Sequence, residues 1–414
     1  MKLVNSKRNR GVLDRLANRG ALDLARVERP TAKIVNDVRK HGDSALLRYA
    51  RKFDGFKGKN LRVSQEEVNA AWQRITPDLR HAMEIAATNI RRFCEWQRPQ
   101  EWIREVQPGV KLGQLIRPID AVGCYVPGGR HPLPSTLLMT VIPAQIAGVP
   151  RIVVVSPRPA PETLAAAALL GVKEFYAIGG AQAIAALAYG TKSIPKVDKI
   201  VGPGNAFVTT AKKLVAFDCS IDMLAGPTEA LVVAENGNAG FIAADLVAQA
   251  EHDPDALPVF VTSNKKLGEQ VMAETKRQSQ SNRVAREALK RNGYVIVSKS
   301  PAESMRIANL LAPEHITVPD QHALAEVHSA GSVFVGDFSP QAAGDYASGP
   351  NHVLPTGACA RFRGGLSVND FVKLITVQEL SARGLGTMAR EVTTLARAEG
   401  LLAHAQSIAV RMES

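Results

Sequence analysis

Residues 151–190 read RIVVVSPRPAPETLAAAALLGVKEFYAIGGAQAIAALAYG. Two short apolar runs, RIVVVS and EFYAIGG, are each followed by a run rich in alanine and leucine. Short apolar runs bounded by turn residues are typical of strands, and the longer runs between them are typical of helices. Strands that alternate with helices at this spacing predict βαβ units and a parallel sheet.

The alternation extends in both directions from this stretch. Upstream, IRPIDAVGCYV precedes the apolar run STLLMTVIPAQIAG, and downstream DKIVGPG precedes AFVTTAKKLVAF. After Ala230 a second series follows, with strand-like LVVAE, PVFVTS, YVIVS and GSVFVG separated by helical patterns. Residues 1–100 and the C-terminal stretch have a helical pattern. The sequence therefore predicts an α/β protein with two α/β domains and helical arms at both ends.

Length and composition bound the class of protein. A chain of 414 residues with 45% hydrophobic and 22% charged residues is typical of a soluble globular protein of two or three domains. The N-terminus is polar without an apolar signal region, and the apolar runs are too short to span a bilayer, so we predict a cytoplasmic protein with no membrane partner. The four cysteines are scattered without a CxxC pair, which excludes a disulfide framework and a zinc ribbon.

The net charge of +12 raises the possibility of a nucleic-acid partner. The basic residues are spread along the chain, however, and the sequence has no RNP motif, no zinc-finger spacing and no interleaved aromatic residues. A basic surface that attracts an anionic cofactor explains the charge as well. We therefore predict no nucleic-acid partner.

Three of the predicted strand-to-helix turns are rich in glycine. They contain Gly128-Gly129, Gly179-Gly180 and Gly202-Pro203-Gly204. Glycine at such a turn lets a phosphate approach the backbone N–H groups and the positive end of the following helix. None of the turns matches GxGxxG or the P-loop pattern, and glycine is also the ordinary turn residue. Three such turns in succession nevertheless favour a nucleotide crevice.

Histidine, carboxylate and amide side chains form four groups. Residues 246–256, LVAQAEHDPDA, place Gln249 and His252 three apart, where Pro254 predicts that a helix ends near Asp253. The other groups are Glu314 with His315, Asp345 with His352, and Glu399 with His404. Each group alone is better explained as a solvated helix end or an exposed charge. Together, without CxxC or HExxH, they suggest a mixed nitrogen and oxygen metal site assembled from distant segments.

At these residues the chain resembles the histidinol dehydrogenase family, whose members depend on zinc and NAD. The motifs that carry the resemblance occur in order along the whole chain: CYVPGG, AIGGAQAIAALAYGT, VGPGNAFVT, DMLAGPTEALVVA, AQAEHDPDA, APEHI, GDYASGPNHVLPT and AEGLLAH. Thr228 stands where serine is familiar in the family, and Pro350 where a hydroxyl residue is common. Either hydroxyl at position 228 can form a hydrogen bond.

The resemblance implies a role for each matching residue. Glu314 and His315 match the acid–base pair, and Tyr125, Gln182 and Asn205 match positions that contact NAD. Zinc ligands are implied at Gln249, His252, Asp345 and His404. Substrate contacts are implied at Thr228, Gln249, His252, His315, Asp345, His352, Glu399 and His404.

The resemblance also implies an activity and an assembly. The expected reaction is the four-electron oxidation of L-histidinol to L-histidine through L-histidinal, the last step of histidine biosynthesis. The expected assembly is a homodimer in which the C-terminal tail completes the partner's active site. An alternative is a paralogue that oxidises another polar alcohol, such as a sulfonated diol. A zinc hydrolase would need an open metal position, and the three glycine-rich turns would then lack a purpose.

The expected architecture consists of two Rossmann-like parallel-sheet domains with N- and C-terminal helical arms. Residues 1–22 form the N-terminal arm, and residues 23–118 and 230–365 form the two parts of the first domain. The second part carries the metal-binding and catalytic residues. Residues 119–229 form the second, NAD-contacting domain, and residues 366–414 form a dimer-forming C-terminal arm.

Overall fold

The computed structural model describes residues 1–20, 24–128 and 132–413, so Gly129 and the predicted boundary between residues 22 and 23 lie outside it. In chain order, the strands within these residues are β1 (Lys2–Asn5), β2 (Trp102–Gln107), β3 (Val110–Pro118), β4 (Ala121–Tyr125), β5 (Arg151–Val155), β6 (Glu174–Tyr176), β7 (Lys199–Val201), β8 (Ser220–Ile221), β9 (Glu229–Val233), β10 (Leu257–Thr262), β11 (Tyr294–Val297), β12 (His315–Val318), β13 (Ser332–Val335) and β14 (Val372–Leu380).

The helices of the same residues are α1 (Arg10–Ala17), α2 (Ala25–His41), α3 (Asp43–Asp54), α4 (Gln65–Arg74), α5 (Pro77–Trp96), α6 (Pro134–Ala147), α7 (Pro161–Leu169), α8 (Gly180–Tyr189), α9 (Ala206–Val215), α10 (Ala239–Ala250), α11 (Lys265–Gln278), α12 (Arg283–Asn292), α13 (Pro301–Leu311), α14 (Gln321–Ala325), α15 (Gln341–Tyr346), α16 (Ala382–Gly386), α17 (Ala389–Ala398) and α18 (Leu402–Met412). None of them has the length and apolar composition that would let it cross a membrane.

The first parallel sheet has five strands in the order β6-β5-β4-β7-β8. The central residues of its strands are apolar because helices cover both faces, and the charged residues Arg151, Glu174 and Lys199 stand at the first positions of their strands. Val122 and Val154 point into a core shared with α4 to α7, whereas Val153 and Val155 point into a core shared with α2, α3, α8 and α9. The predicted βαβ organisation of residues 151–190 is confirmed.

The second parallel sheet has six strands in the order β1-β11-β10-β9-β12-β13. Successive residues of its central strand again point to opposite faces: Leu231 and Val233 lie in one core, and Ala230 and Val232 in the other. With two parallel sheets and their covering helices, the α/β class predicted from the sequence is confirmed.

The helical prediction for residues 1–100 is wrong at Lys2–Asn5. These residues form β1, which pairs in parallel with β11 at the edge of the six-stranded sheet. A stretch of four residues has little intrinsic preference for one type of secondary structure. This strand depends on pairing with Tyr294–Val297, which lie far later in the chain. The prediction failed because that pairing has no local signal.

A third, antiparallel sheet was also missed. Its order is β14-β3-β2, so β14 falls in the C-terminal stretch that was predicted to be helical. The sequence VKLITVQEL is rich in β-branched residues, as strands usually are, and this was the overlooked signal. The pairing of β14 with β3 attaches the C-terminal arm to the rest of the chain, and β14 leads directly into the helices α16, α17 and α18 of that arm.

Candidate active site

The amino ends of two neighbouring strands bring the central polar residues together. Thr228 immediately precedes β9 and Glu314 immediately precedes β12, and these strands pair with His315 opposite Ala230. Parallel strands that start side by side place the preceding residues side by side as well. Thr228 and Glu314, which are 86 residues apart in sequence, therefore meet through their side chains.

Glu314 is buried and held by two hydrogen-bond donors. Its Oε2 accepts a hydrogen bond of 2.7 Å from the Thr228 hydroxyl and one of 2.8 Å from the backbone N–H of Glu229. Its side chain is only 9% exposed, so these donors replace the water that a carboxylate normally requires. The predicted hydroxyl at position 228 thus has a direct partner in the predicted acid–base pair.

His315 lies between two carboxylates. Its Nε2 is 3.4 Å from Oδ1 of Asp345, and its Nδ1 is 3.5 Å from Oε2 of Glu314. Burial disfavours the charged imidazole, but the two carboxylates outweigh that effect and raise the pKa of His315 to about 10. The ring also stacks against Phe334, with 6.0 Å between the ring centres, which limits its rotation.

Asp345 links the Glu314–His315 pair to Gln249 and His352. Its Oδ2 accepts a hydrogen bond of 3.0 Å from the Gln249 amide, whose Oε1 accepts one of 3.1 Å from Thr228. The Asp345 carbonyl lies 2.7 Å from Nδ1 of His352. Burial works against the charge of Asp345, yet the contact with His315 lowers the pKa of its carboxyl. Desolvation lowers the pKa of His352.

His252 lies at the rim of this cluster. The helix α10 ends at Ala250, earlier than the predicted end near Asp253, because a turn forms between Asp253 and Ala256 ahead of β10. His252 is exposed and lines a cleft of about 790 Å³. The charge of His252 is close enough to favour the ionised form of Asp345. Gln249, His252 and Asp345 therefore belong to one neighbourhood.

Glu399 and His404 are not in this neighbourhood. Glu399 follows α17 and His404 lies on α18, and both are exposed. No hydrogen bond or ion pair found among the described residues joins their side chains to the cluster. In the same residues, no three His, Cys, Asp or Glu side chains converge as a group that could hold a metal ion. One chain alone does not bring the four predicted zinc ligands together.

The three residues predicted to contact NAD lie at the carboxyl ends of strands in the five-stranded sheet. Thr228 and Glu314, in contrast, lie at the amino ends of strands in the six-stranded sheet. Tyr125 ends β4, and its hydroxyl accepts a 3.1 Å hydrogen bond from the backbone N–H of Gly180 at the start of α8. Desolvation raises the pKa of Tyr125 to about 12, so the phenol stays neutral. Gln182 is buried on α8, and Asn205 caps α9 by accepting from the N–H groups of Phe207 and Val208.

A buried ion pair stabilises the third glycine-rich turn. Asp222 accepts a 2.7 Å hydrogen bond from the N–H of Gly202, while the Lys212 ammonium donates to the carbonyl of Gly202 at 2.9 Å and pairs with Asp222. Gly202 has φ of 111°, and a Cβ atom there would lie 2.1 Å from the Tyr125 carbonyl oxygen. Only glycine fits at this turn, because a side chain would collide with the backbone at the end of β4.

Sequence reasoning missed two acidic residues beside these sites. Asp54, at the end of α3, accepts 3.4 Å hydrogen bonds from the Gly179 N–H and the Gln182 amide, and burial raises its pKa. Glu229 is buried in contact with Glu314. A charged residue at the start of an otherwise apolar strand was the available signal for Glu229. Asp54 offered none.

Comparisons with known proteins agree on one family. The family model described as histidinol dehydrogenase matches residues 17–412. A histidinol dehydrogenase of Methanothermobacter thermautotrophicus is 46% identical, with 97% of each chain covered. Another from Vibrio parahaemolyticus is 46% identical, covering 94% of this chain and 93% of the relative. The crystal structure of histidinol dehydrogenase from Elizabethkingia anophelis superposes with a TM-score of 0.94 at 37% identity, covering 100% of this chain and 98% of that one.

Proposed function

Because the chain belongs to the histidinol dehydrogenase family and is an oxidoreductase of histidine biosynthesis, we propose that it oxidises L-histidinol to L-histidine in two successive NAD-dependent steps, with L-histidinal between them. The observation that carries this proposal is the cluster of Thr228, Gln249, Glu314, His315 and Asp345, of which Gln249, Glu314 and His315 are buried. It joins a candidate base, a candidate water-activating carboxylate and donors suited to a metal.

We propose that His315 acts as the base in the first step. Oxidation of an alcohol requires removal of the hydroxyl proton as hydride leaves the carbon, and imidazole is the usual side chain for that transfer. His315 is oriented for it by the ring contact with Phe334 and by its polar neighbours. The proton leaves the substrate hydroxyl and is taken up at a ring nitrogen of the neutral imidazole. That neutral form would be favoured when Asp345 turns from His315 to its proposed role as a zinc ligand, because one of the two carboxylates that stabilise the charged ring is then engaged elsewhere.

Glu314 is proposed to act in the second step. A carboxylate that is held by Thr228 and the Glu229 N–H can orient a water molecule and accept one of its protons as the oxygen attacks the aldehyde. Thr228 and His352 would bind the substrate, as would Glu399. Thr228 donates to Glu314 in the present arrangement, so substrate binding would compete for its hydroxyl.

The donor set fits zinc in its chemistry. Gln249, His252, Asp345 and His404 would offer an amide oxygen, two imidazole nitrogens and a carboxylate, the mixture of donors that divalent zinc accepts. The Gln249–Asp345 contact shows that two of these side chains already face each other. When bound, zinc supplies a positive centre that orients nitrogen groups of the substrate.

The carboxyl edge of the five-stranded sheet fits NAD. The helices α8 and α9 begin there beside positive-φ glycines, and Tyr125, Gln182 and Asn205 line the turns. Parallel α/β sheets commonly bind dinucleotides at this edge, where helix N-termini favour the pyrophosphate. NAD, when bound, is the acceptor of hydride. The charge of Asp54 beside Gln182 would disfavour an additional phosphate group.

The assembly proposed is a homodimer with shared active sites. Leu395 and Leu402 of the arm are 64% and 69% exposed, and Ile103 and Leu374 of the antiparallel sheet are also exposed. An apolar surface of this kind is typical of a subunit interface. If a second copy covers it, the second copy's arm can bring His404 and Glu399 to the cleft where His252 lies. We further propose that the chain is divided into the domains predicted from the sequence and that the protein is located in the cytoplasm.

The proposed reaction predicts the outcome of a direct assay. Purified protein with NAD and L-histidinol should give a steady rise in NADH absorbance and two NADH for each L-histidine formed, because two hydrides leave the substrate. A sulfonated diol at the same concentration should give no comparable rate. A single NADH per substrate, or a preference for the diol, would contradict the proposal.

Metal removal gives a second test. The purified enzyme should contain stoichiometric zinc by elemental analysis, and His252→Ala should lose it, because His252 supplies one of the proposed nitrogen donors. The matched control is His322→Ala, since the His322 side chain is 91% exposed on α14 and belongs to no proposed site. Zinc-free enzyme with full activity, or equal zinc in both variants, would remove the zinc assignment.

A further inference from the structure

We infer that Arg19 and Glu229 form a positioning pair that fixes the Glu314–His315 pair, so that a residue of the N-terminal segment contributes to the chemical step. The inference rests on the proposed roles of Glu314 and His315. Neither Arg19 nor the Glu229 carboxylate is assigned a contact with substrate or cofactor. Both would act through the residues that they hold.

Glu229 holds both members of the catalytic pair with its backbone. Its N–H donates to the Glu314 carboxylate at 2.8 Å, and its carbonyl oxygen lies 3.2 Å from Nδ1 of His315. A carbonyl can only accept, so this contact favours a proton on Nδ1 and fixes the orientation of the imidazole ring. The position of the Glu229 backbone therefore sets both the carboxylate and the imidazole.

The Glu229 side chain also binds the backbone of two segments of the site, at Glu314 and at Gly357. Its carboxylate accepts hydrogen bonds from the N–H of Glu314 at 3.2 Å and from the N–H of Gly357 at 2.8 Å. The residue is 4% exposed, so its charge requires partners within the protein. The backbone N–H of a proposed catalytic residue is thus fixed by a buried carboxylate.

Arg19 supplies the counter-charge. Its Nε donates to Oε1 of Glu229 at 2.7 Å and a terminal nitrogen donates to Oε2 at 2.5 Å, which is a two-pronged contact between guanidinium and carboxylate. The other terminal nitrogen donates to the carbonyls of Leu16 at 2.8 Å and Leu311 at 2.6 Å. Leu311 is the last residue of α13, three residues before Glu314. One guanidinium therefore connects α1, the end of α13 and Glu229.

Arg361 provides a natural comparison. Its guanidinium donates to the carbonyls of Ala17 and Leu310 at 2.7 Å each, so it also ties the N-terminal segment to the end of α13. It makes no contact with Glu229 among the hydrogen bonds of the described residues. Loss of Arg361 should loosen the same helix end without removing the counter-charge of Glu229. A comparison of the two arginines therefore distinguishes support of the end of α13 from positioning of the Glu314–His315 pair.

The test compares Arg19→Ala with Arg361→Ala in the full-length, zinc-loaded enzyme. A catalytic pair displaced by about 1 Å loses on the order of 100-fold in rate. We expect kcat of Arg19→Ala to fall by about 10- to 100-fold with KM for L-histidinol nearly unchanged. Guanidinium ion should restore much of kcat in a saturable manner, and methylammonium should not, because only guanidinium reproduces the two-pronged contact. Arg361→Ala should keep a near-normal kcat and show no rescue.

Arg19→Lys keeps the inference testable if Arg19→Ala does not fold. Lysine retains the charge without the planar pair of donors, so kcat should fall by about tenfold at unchanged KM. A normal kcat in Arg19→Lys, or equal losses without guanidinium rescue in Arg19→Ala and Arg361→Ala, would overturn the inference. Direct substitution of Glu314 and His315 tests the underlying roles separately. If those variants stay active, the proposed function fails whatever Arg19 does.

Discussion

Glu314→Gln is expected to slow the oxidation of supplied L-histidinal by about 100-fold or more while affecting the first hydride transfer from L-histidinol much less. Glutamine keeps the size of the side chain and can still accept from Thr228 and the Glu229 N–H, so the fold should persist. What it loses is the ability to take a proton from water. Single-turnover measurements started from the alcohol and from the aldehyde distinguish the two steps.

His315→Asn should show the opposite pattern. The loss should fall mainly on the alcohol step, again by about 100-fold or more, because the base for the hydroxyl proton is removed. Matched controls are Glu326→Gln and His322→Asn, which alter an exposed glutamate–histidine pair 3.6 Å apart on α14 and just after it. Equal losses in both steps for both catalytic-site variants would refute the division of labour between Glu314 and His315.

Mixed dimers should regain activity that neither parent has. Inactive His404→Ala and inactive Glu314→Gln subunits, dissociated mildly and recombined, should give heterodimers with about half of the normal activity, because one of the two shared sites is then intact. The expectation follows from the exposed position of His404 on α18 and its separation from the cluster in its own chain. Activity is measured on heterodimers isolated with two different affinity tags.

The controls for this experiment are each variant recombined with itself, which should remain inactive. Heterodimers that form but stay inactive would show that the arm serves its own chain, as both sites would then carry a lesion. An active monomer in solution would contradict the shared site altogether. The experiment therefore decides whether the exposed apolar residues of the arm and the antiparallel sheet cover a partner's surface.

The sheets could be predicted because their information is local. A run such as RIVVV is apolar on both faces after its first residue, and the proline-rich turn and the helix that follow it identify the unit without any distant partner. The antiparallel sheet could not be predicted in the same way. Its β14 pairs with β3, more than 250 residues earlier in the chain, and is largely exposed, so no clear pattern of burial marks it.

The candidate site was only partly predictable for a similar reason. The chemistry of Gln249, Glu314, His315, Asp345 and His352 is visible in the sequence, but their mutual contacts depend on tertiary structure. The register of β9 against β12 places Glu314 and His315, and the packing of α10 and α15 brings in Gln249 and Asp345. The contact between Arg19 and Glu229 spans 210 residues and joins two side chains that look like ordinary surface charges in the sequence. The proposed positioning role of this contact can be inferred only from the burial of Glu229 and from its hydrogen bonds.

The position of β1 has a consequence for how the chain folds during synthesis. The five-stranded sheet is built from residues 121–221 and can close soon after they leave the ribosome. Lys2–Asn5, in contrast, must wait for Tyr294–Val297 before they have a neighbour to pair with. Contacts so distant in sequence form slowly because the intervening chain has to be confined. Lys2–Asn5 are thus translated long before the strand that secures them, and translation order and assembly order run in opposite directions for the six-stranded sheet.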